Sequence, residues 1–222
     1  MVDFLTLEDL KPWRRKACLM AFLGGIGFVI VTFIAMIFYP GGYTFLVDYF
    51  SSLGLFEVGG IPNPISRALF IIACIWAGCA LIFFWVLMPT LFKQTIFTKI
   101  VSSIGSIFGI ISSPFLILLA IYGGDLFGFE HFITTMLFFL CFALAILVFT
   151  VGIILNKDYP RRNISGIVSG IFSIILVLYV LSFFGVRWYP AILGSLVQKL
   201  MVYGLILWTV FQEIIIWNEI GD

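Results

Sequence analysis

The chain has 222 residues, of which 63% are hydrophobic, 18% aromatic and only 10% charged. A globular domain in water carries about 25% charged residues, so this composition excludes a soluble fold and points to the bilayer as solvent. The formal net charge of +1 offers no clustered basic face, which excludes nucleic acid as a partner.

Taken in chain order, residues 1–16 read as a cytoplasmic interfacial segment. Thr6-x-x-Asp9 resembles a capping box, and Leu5, Leu7, Leu10 and Trp13 can lie along the membrane surface. A membrane-spanning helix needs about 20 apolar residues. Stretches of that length predict six transmembrane helices at about 17–39, 66–92, 100–122, 131–155, 164–186 and 190–217. The fold class is therefore all-α, a polytopic membrane domain over 17–217. The first stretch follows Arg14-Arg15-Lys16 and far exceeds the ~7–15 apolar residues of a cleaved signal. Pro40-Gly41-Gly42, Pro62-Asn63-Pro64, Gly123-Gly124, Tyr159-Pro160 and Tyr189-Pro190 punctuate the spans.

Nine of the twelve basic residues fall on one side of this arrangement: Lys11, Arg14, Arg15, Lys16, Lys93, Lys99, Lys157, Arg161 and Arg162. The positive-inside bias makes that side the cytoplasm and places both termini there, in the cell membrane. Opposite lie Arg67, Arg187 and Lys199, with Asp48, Glu57, Asp125, Glu130 and His131. The outer loop 40–65 is the one long connection, and its many aromatic and apolar residues predict a segment folded against the outer membrane surface.

Lipid tails give helices no hydrophobic drive to associate, so close approach depends on small residues. The odd spans supply them. Gly105 and Gly109 lie beside Ser102, Ser106 and Ser113, and Gly166 and Gly170 beside Ser165, Ser169 and Ser173. These faces predict contact within the bundle or, alternatively, a homo-oligomer seam. Pro114 predicts a kink in the third span. The four cysteines, Cys18, Cys74, Cys79 and Cys141, sit in apolar stretches without a CxxC pair and read as packing residues.

Lys199 is the strongest local anomaly, since a lysine at the bilayer centre costs about 2.5–3.5 kcal/mol. It needs an acidic partner such as Asp48, Asp125 or Glu130, or a wet pocket; otherwise it snorkels outward into a structural ion pair. Glu213 reads as interfacial. His131, the single histidine, opens the fourth span and could serve an outer-facing enzyme with Asp125 or Glu130. A lone histidine lacks the partners of a zinc site, and no phosphate-loop, G-x-S-x-G or HExxH motif is present, so no cofactor is implied.

Tyr49-Phe50-Ser51-Ser52-Leu53-Gly54, then Pro62-Asn63-Pro64, then Arg67-x-Leu69-Phe70, resembles the six-span family of the damage-regulated autophagy modulators, especially their prokaryotic relatives. The histidine opening span four fits the same pattern, and Ser52 stands where an acidic residue is usual. The resemblance implies membrane-lipid handling more than defined catalysis. The leading expectation is non-catalytic binding of a lipid or other amphiphile from the outer leaflet. Its head group would meet Asp48, Ser51, Ser52, Asn63, Arg67, Asp125, His131, Arg187 and Lys199. A small transporter or scramblase using the serine faces is the alternative.

Overall fold

The computed structural model describes residues 7–92, 95–157, 159, 161–186 and 189–221. The described residues include six α-helices: α1 (Leu7–Ile37), α2 (Pro64–Leu87), α3 (Ile96–Ile121), α4 (Gly128–Leu155), α5 (Arg162–Ser182) and α6 (Gly194–Gly221). Their membrane-compatible portions are Pro12–Ile37, Pro64–Thr90, Ile96–Ile121, Gly128–Leu155, Arg162–Ser182 and Gly194–Asn218. The all-α six-span fold expected from the sequence is the fold observed. Helix starts follow local chemistry: Pro64 occupies the first turn of α2, where its missing N–H is harmless. At α3, Thr95 and Thr98 exchange reciprocal capping bonds of 3.1 and 3.3 Å.

Three boundaries differ from expectation. The charged stretch before the first span, from Leu7 on, continues into α1 as one helix rather than forming a separate interfacial element. At the other end of the chain, α5 stops at Ser182, and a short 3-10 turn, Ala191–Leu193, precedes α6. Gly185, with φ +88°, turns the chain out of α5. Pro114 lies within an unbroken α3.

The helices form a closed ring in chain order. Each packs on its chain neighbours, α1 closes against α6, and among the described residues no helix packs directly across the ring. Six cylinders at a spacing of roughly 8–10 Å enclose a space about one helix wide. Large side chains must fill it, and the even helices provide them. The Trp85 ring (α2) stacks on Trp208 (α6) at 5.9 Å and meets Phe142 (α4) edge-on at 5.6 Å. Phe149 (α4) closes on Trp208 at 6.4 Å. The odd helices carry small residues because their job is to let these rings and the neighbouring backbones in. A methyl group on Gly109 would overlap the Trp85 indole, and one on Gly105 would stand 3.2 Å from the Ala145 carbonyl oxygen. Gly166 and Gly170 likewise face Ile154 and Thr150 of α4. All four glycines of the small-residue faces thus make contacts inside one chain.

The two ends of the ring are chemically distinct. At the N-terminal end, Arg14 donates to the carbonyl and hydroxyl oxygens of Thr90, and Phe92 packs on Tyr159 at 5.4 Å. At the opposite end lies the 40–65 connection. It contains a 3-10 turn, Phe50–Gly54, and a small hairpin of β1 (Glu57–Val58) and β2 (Ile61–Pro62). The hairpin turn uses Gly59 and Gly60 at φ +56° and +81°, backbone angles that favour glycine at both positions. The expectation that this loop lies on the membrane surface is corrected here. Phe50 and Leu53 are buried in the core, so the loop plugs the mouth of the ring, while Leu46, Val47 and Ile61 remain exposed.

Candidate functional site

Below the loop, the centre of the ring is incompletely filled. Toward the N-terminal end Trp85, Trp208 and Phe149 occupy it, but nearer the loop Cys74, Ala77, Thr135 and Val202 leave space among the rings of Phe28, Phe70, Phe138 and Phe139. The result is a cavity of about 90 Å³, walled by α1, α2, α3, α4 and α6 and roofed by Phe50 and Ser51. Since about 150 Å³ admits benzene, this smaller space takes only a short, slim apolar segment. Its wall is apolar apart from Ser51, Thr135, Gln198 and Thr209. The Thr209 hydroxyl donates to the Leu205 carbonyl at 2.9 Å. The Thr135 hydroxyl is buried without any hydrogen-bond partner, which leaves one polar group facing the cavity unsatisfied. Gln198 accepts from the Phe50 N–H at 2.8 Å and so ties the roof to α6.

The roof is fastened on two flanks. On the α6 flank, the Lys199 ammonium donates to the Asp48 carbonyl and, at 3.4 Å, reaches the Ser195 carbonyl. It also lies 5.4 and 5.2 Å from the ring centroids of Tyr43 and Phe45, where the negative ring faces attract it. The Asp48 carboxylate turns the other way and accepts from the Thr44 N–H at 2.6 Å. Ser195 adds a bond to the Leu46 carbonyl at 2.8 Å. Burial, with the Asp48 carboxylate nearby, pushes the Tyr39 and Tyr43 hydroxyls above the usual phenol range. Tyr43 accordingly stays a donor, to the Asp48 and Tyr49 carbonyls at 3.1 and 3.0 Å.

On the second flank, Asn63 donates to the Leu53 and Leu55 carbonyls at 3.3 and 3.0 Å. Asp125, from the α3–α4 turn, accepts from the Phe56 and Glu57 N–H groups at 2.9 and 3.0 Å. Arg67 lays its guanidinium 3.8 Å from the Phe56 ring centroid and donates to the Ile121 carbonyl at 3.1 Å. His131 Nδ1 lies 3.0 Å from the Leu119 carbonyl and 2.8 Å from that of Tyr122. Both partners are acceptors, so Nδ1 carries the hydrogen and satisfies carbonyls that the end of α3 leaves free.

The residues singled out in the sequence therefore divide. Asp48 and Lys199 meet on one flank, and Asn63, Arg67, Asp125 and His131 gather on the other. Among the described ones, only Ser51 lines the cavity. Ser52 hydrogen-bonds within the roof, its N–H to Tyr49 and its carbonyl to Leu55, both at 3.1 Å. Arg187 lies outside the described residues. Glu130 is exposed, and no carboxylate hydrogen-bonds His131 among the described residues. Comparison with protein-family models, curated proteins and solved structures finds no match in any of the three. Sequence reasoning missed Gln198, Thr209 and the Trp85–Trp208 pair. An amide beside Lys199, inside an otherwise apolar span, was the available signal for Gln198.

Proposed function

We propose that the chain is a non-catalytic membrane protein that holds an apolar or amphiphilic molecule, in the simplest case a lipid chain, inside the six-helix ring. The carrying observation is the apolar cavity of about 90 Å³ beneath a loop tied down on both flanks. Protein interiors are close-packed, and the wall of a void forfeits dispersion contacts. An occupant restores those contacts. The bias of basic residues puts the loop end outside the cell membrane, so the occupant enters from the outer leaflet. Its polar end then meets Ser51, Thr135 and Gln198, because Lys199 and Arg67 are engaged in holding the roof. The resemblance to the damage-regulated autophagy modulators, with the lipid handling it implies, agrees with this reading.

Binding is favoured over passage by what the serines do. Ser112, Ser173 and Ser102 donate to carbonyls three residues back, at 2.7, 2.8 and 3.0 Å, and Ser165 and Ser169 are engaged by Gln212 of α6 at 2.9 and 3.0 Å. The experiment is mass spectrometry of small molecules retained through purification in mild detergent, wild type against Val202→Phe. Val202 lines the cavity, and the larger ring fills it at a packing penalty of roughly 1–3 kcal/mol. One amphiphile enriched in the wild type and depleted severalfold in the variant supports the reading. The same bulk lipid profile in both contradicts it.

A further inference from the structure

The seam between α1, α2 and α6 continues past the floor of the cavity to a second, smaller one. Ala21 of α1, Ala80 and Leu81 of α2, and Thr209 and Val210 of α6 line the large cavity. One turn further toward the N-terminal end, Ala17 and Cys18, Phe84 and Leu87, and Ile216 line the small one, of about 10 Å³. Space of about 10–15 Å³ holds a single water. Glu213 falls between the two levels along α6, three residues after Val210 and three before Ile216, and lines neither cavity. It is only 3% exposed, and neither of its carboxylate oxygens has a hydrogen-bond partner.

A carboxylate buried without a partner is strongly disfavoured as an ion. Among the described residues, none supplies it a counter-charge at contact distance. From α1, Cys18 is within electrostatic reach of Glu213 and also of Arg14, while Arg14 turns its guanidinium to Thr90 at the rim of the small cavity. From α2 the facing groups are Phe84, Leu87 and Met88. Tyr159, below α4, bonds to Gln212 at 3.1 Å and stays with that amide. We propose that Glu213 is a proton-binding site buried on α6 between the levels of the two cavities, exchanging its proton with the N-terminal side. The site switches the buried part of α6 next to the large cavity between a neutral and a charged state. It stands independently of what occupies that cavity, and its test uses no cavity ligand.

The full-length protein in mild detergent is treated with dicyclohexylcarbodiimide, an apolar reagent that modifies protonated carboxyl groups in apolar surroundings, and peptides are mapped by mass spectrometry. The expected result is an adduct at Glu213 whose yield falls about tenfold per pH unit above the midpoint of the group. E213Q, which copies the shape of the protonated acid, removes the adduct and keeps the fold. In the infrared spectrum E213Q also removes a protonated-carboxyl band that shifts in D2O. Failure to label Glu213 at any pH where the protein stays folded overturns the proposal, as does a yield that ignores pH. A carboxyl band unmoved by D2O overturns the exchange route.

Discussion

Lys199→Met removes the ammonium that fastens the roof while keeping an unbranched apolar side chain in its place. The wild-type ammonium donates a charge-assisted bond to the Asp48 carbonyl, the kind of bond worth about 1.5–3 kcal/mol. Its bond to Ser195 is long at 3.4 Å and adds little. The two rings at 5.4 and 5.2 Å contribute about 0.5–1 kcal/mol each, roughly cancelled by the desolvation that methionine no longer requires. Asp48 keeps Tyr43 as a donor at 3.1 Å, so its carbonyl is not orphaned. The net loss of about 1.5–3 kcal/mol corresponds to roughly a 10- to 140-fold rise in roof opening, at about 1.4 kcal/mol per tenfold. Hydrogen exchange read by mass spectrometry measures it directly, because the Phe50 N–H is bonded to Gln198 in the closed roof at 2.8 Å. Peptides covering residues 43–56 should exchange faster by that factor, with the interiors of α3 and α4 unchanged. Unaltered exchange over 43–56 would refute the assignment of Lys199 as the roof's fastener.

Two further outcomes follow from the ring and its second flank. Gly109→Ala sets a methyl group into the Trp85 indole and should destabilise the protein by about 1–3 kcal/mol in thermal unfolding in detergent. Trp85→Phe in the same chain should recover part of the loss; no recovery would mean the two residues do not oppose each other. His131→Ala removes a donor to the Leu119 and Tyr122 carbonyls and should lower stability by about 1–3 kcal/mol without depleting the retained amphiphile. Depletion as large as that in Val202→Phe would instead give His131 a part in binding.

The spans were legible because a bilayer crossing demands a long apolar run, and each run in this chain is bounded by Gly, Pro or charge. The alternation of small odd helices and bulky even ones was also visible in Gly105, Gly109, Gly166 and Gly170. Its meaning was not, since only the closed ring shows that Trp85, Phe142 and Trp208 converge on a space needing to be filled. Lys199 stood out by its cost in the membrane, yet its partner proved to be a backbone carbonyl. Carbonyls are present at every residue and leave no signature in sequence. The same holds for Asn63, Asp125 and His131, all of which bond to backbone. Glu213 read as interfacial by counting turns from the end of the span. Its burial, at 3% exposed, is a tertiary fact that counting along one helix does not reach.

The cavity predicts an apolar chain inside the ring rather than around it. Photo-crosslinking tests this most directly, using a fatty acid that carries a diazirine on its chain, with adducts mapped by mass spectrometry. Adducts at Leu119, Phe138 and Val202 of the cavity wall, competed by unlabelled fatty acid and lost in Val202→Phe, are the predicted result. Adducts confined to the exposed faces at Ile72, Ile107 and Ile171, unaffected by competitor or variant, would contradict it.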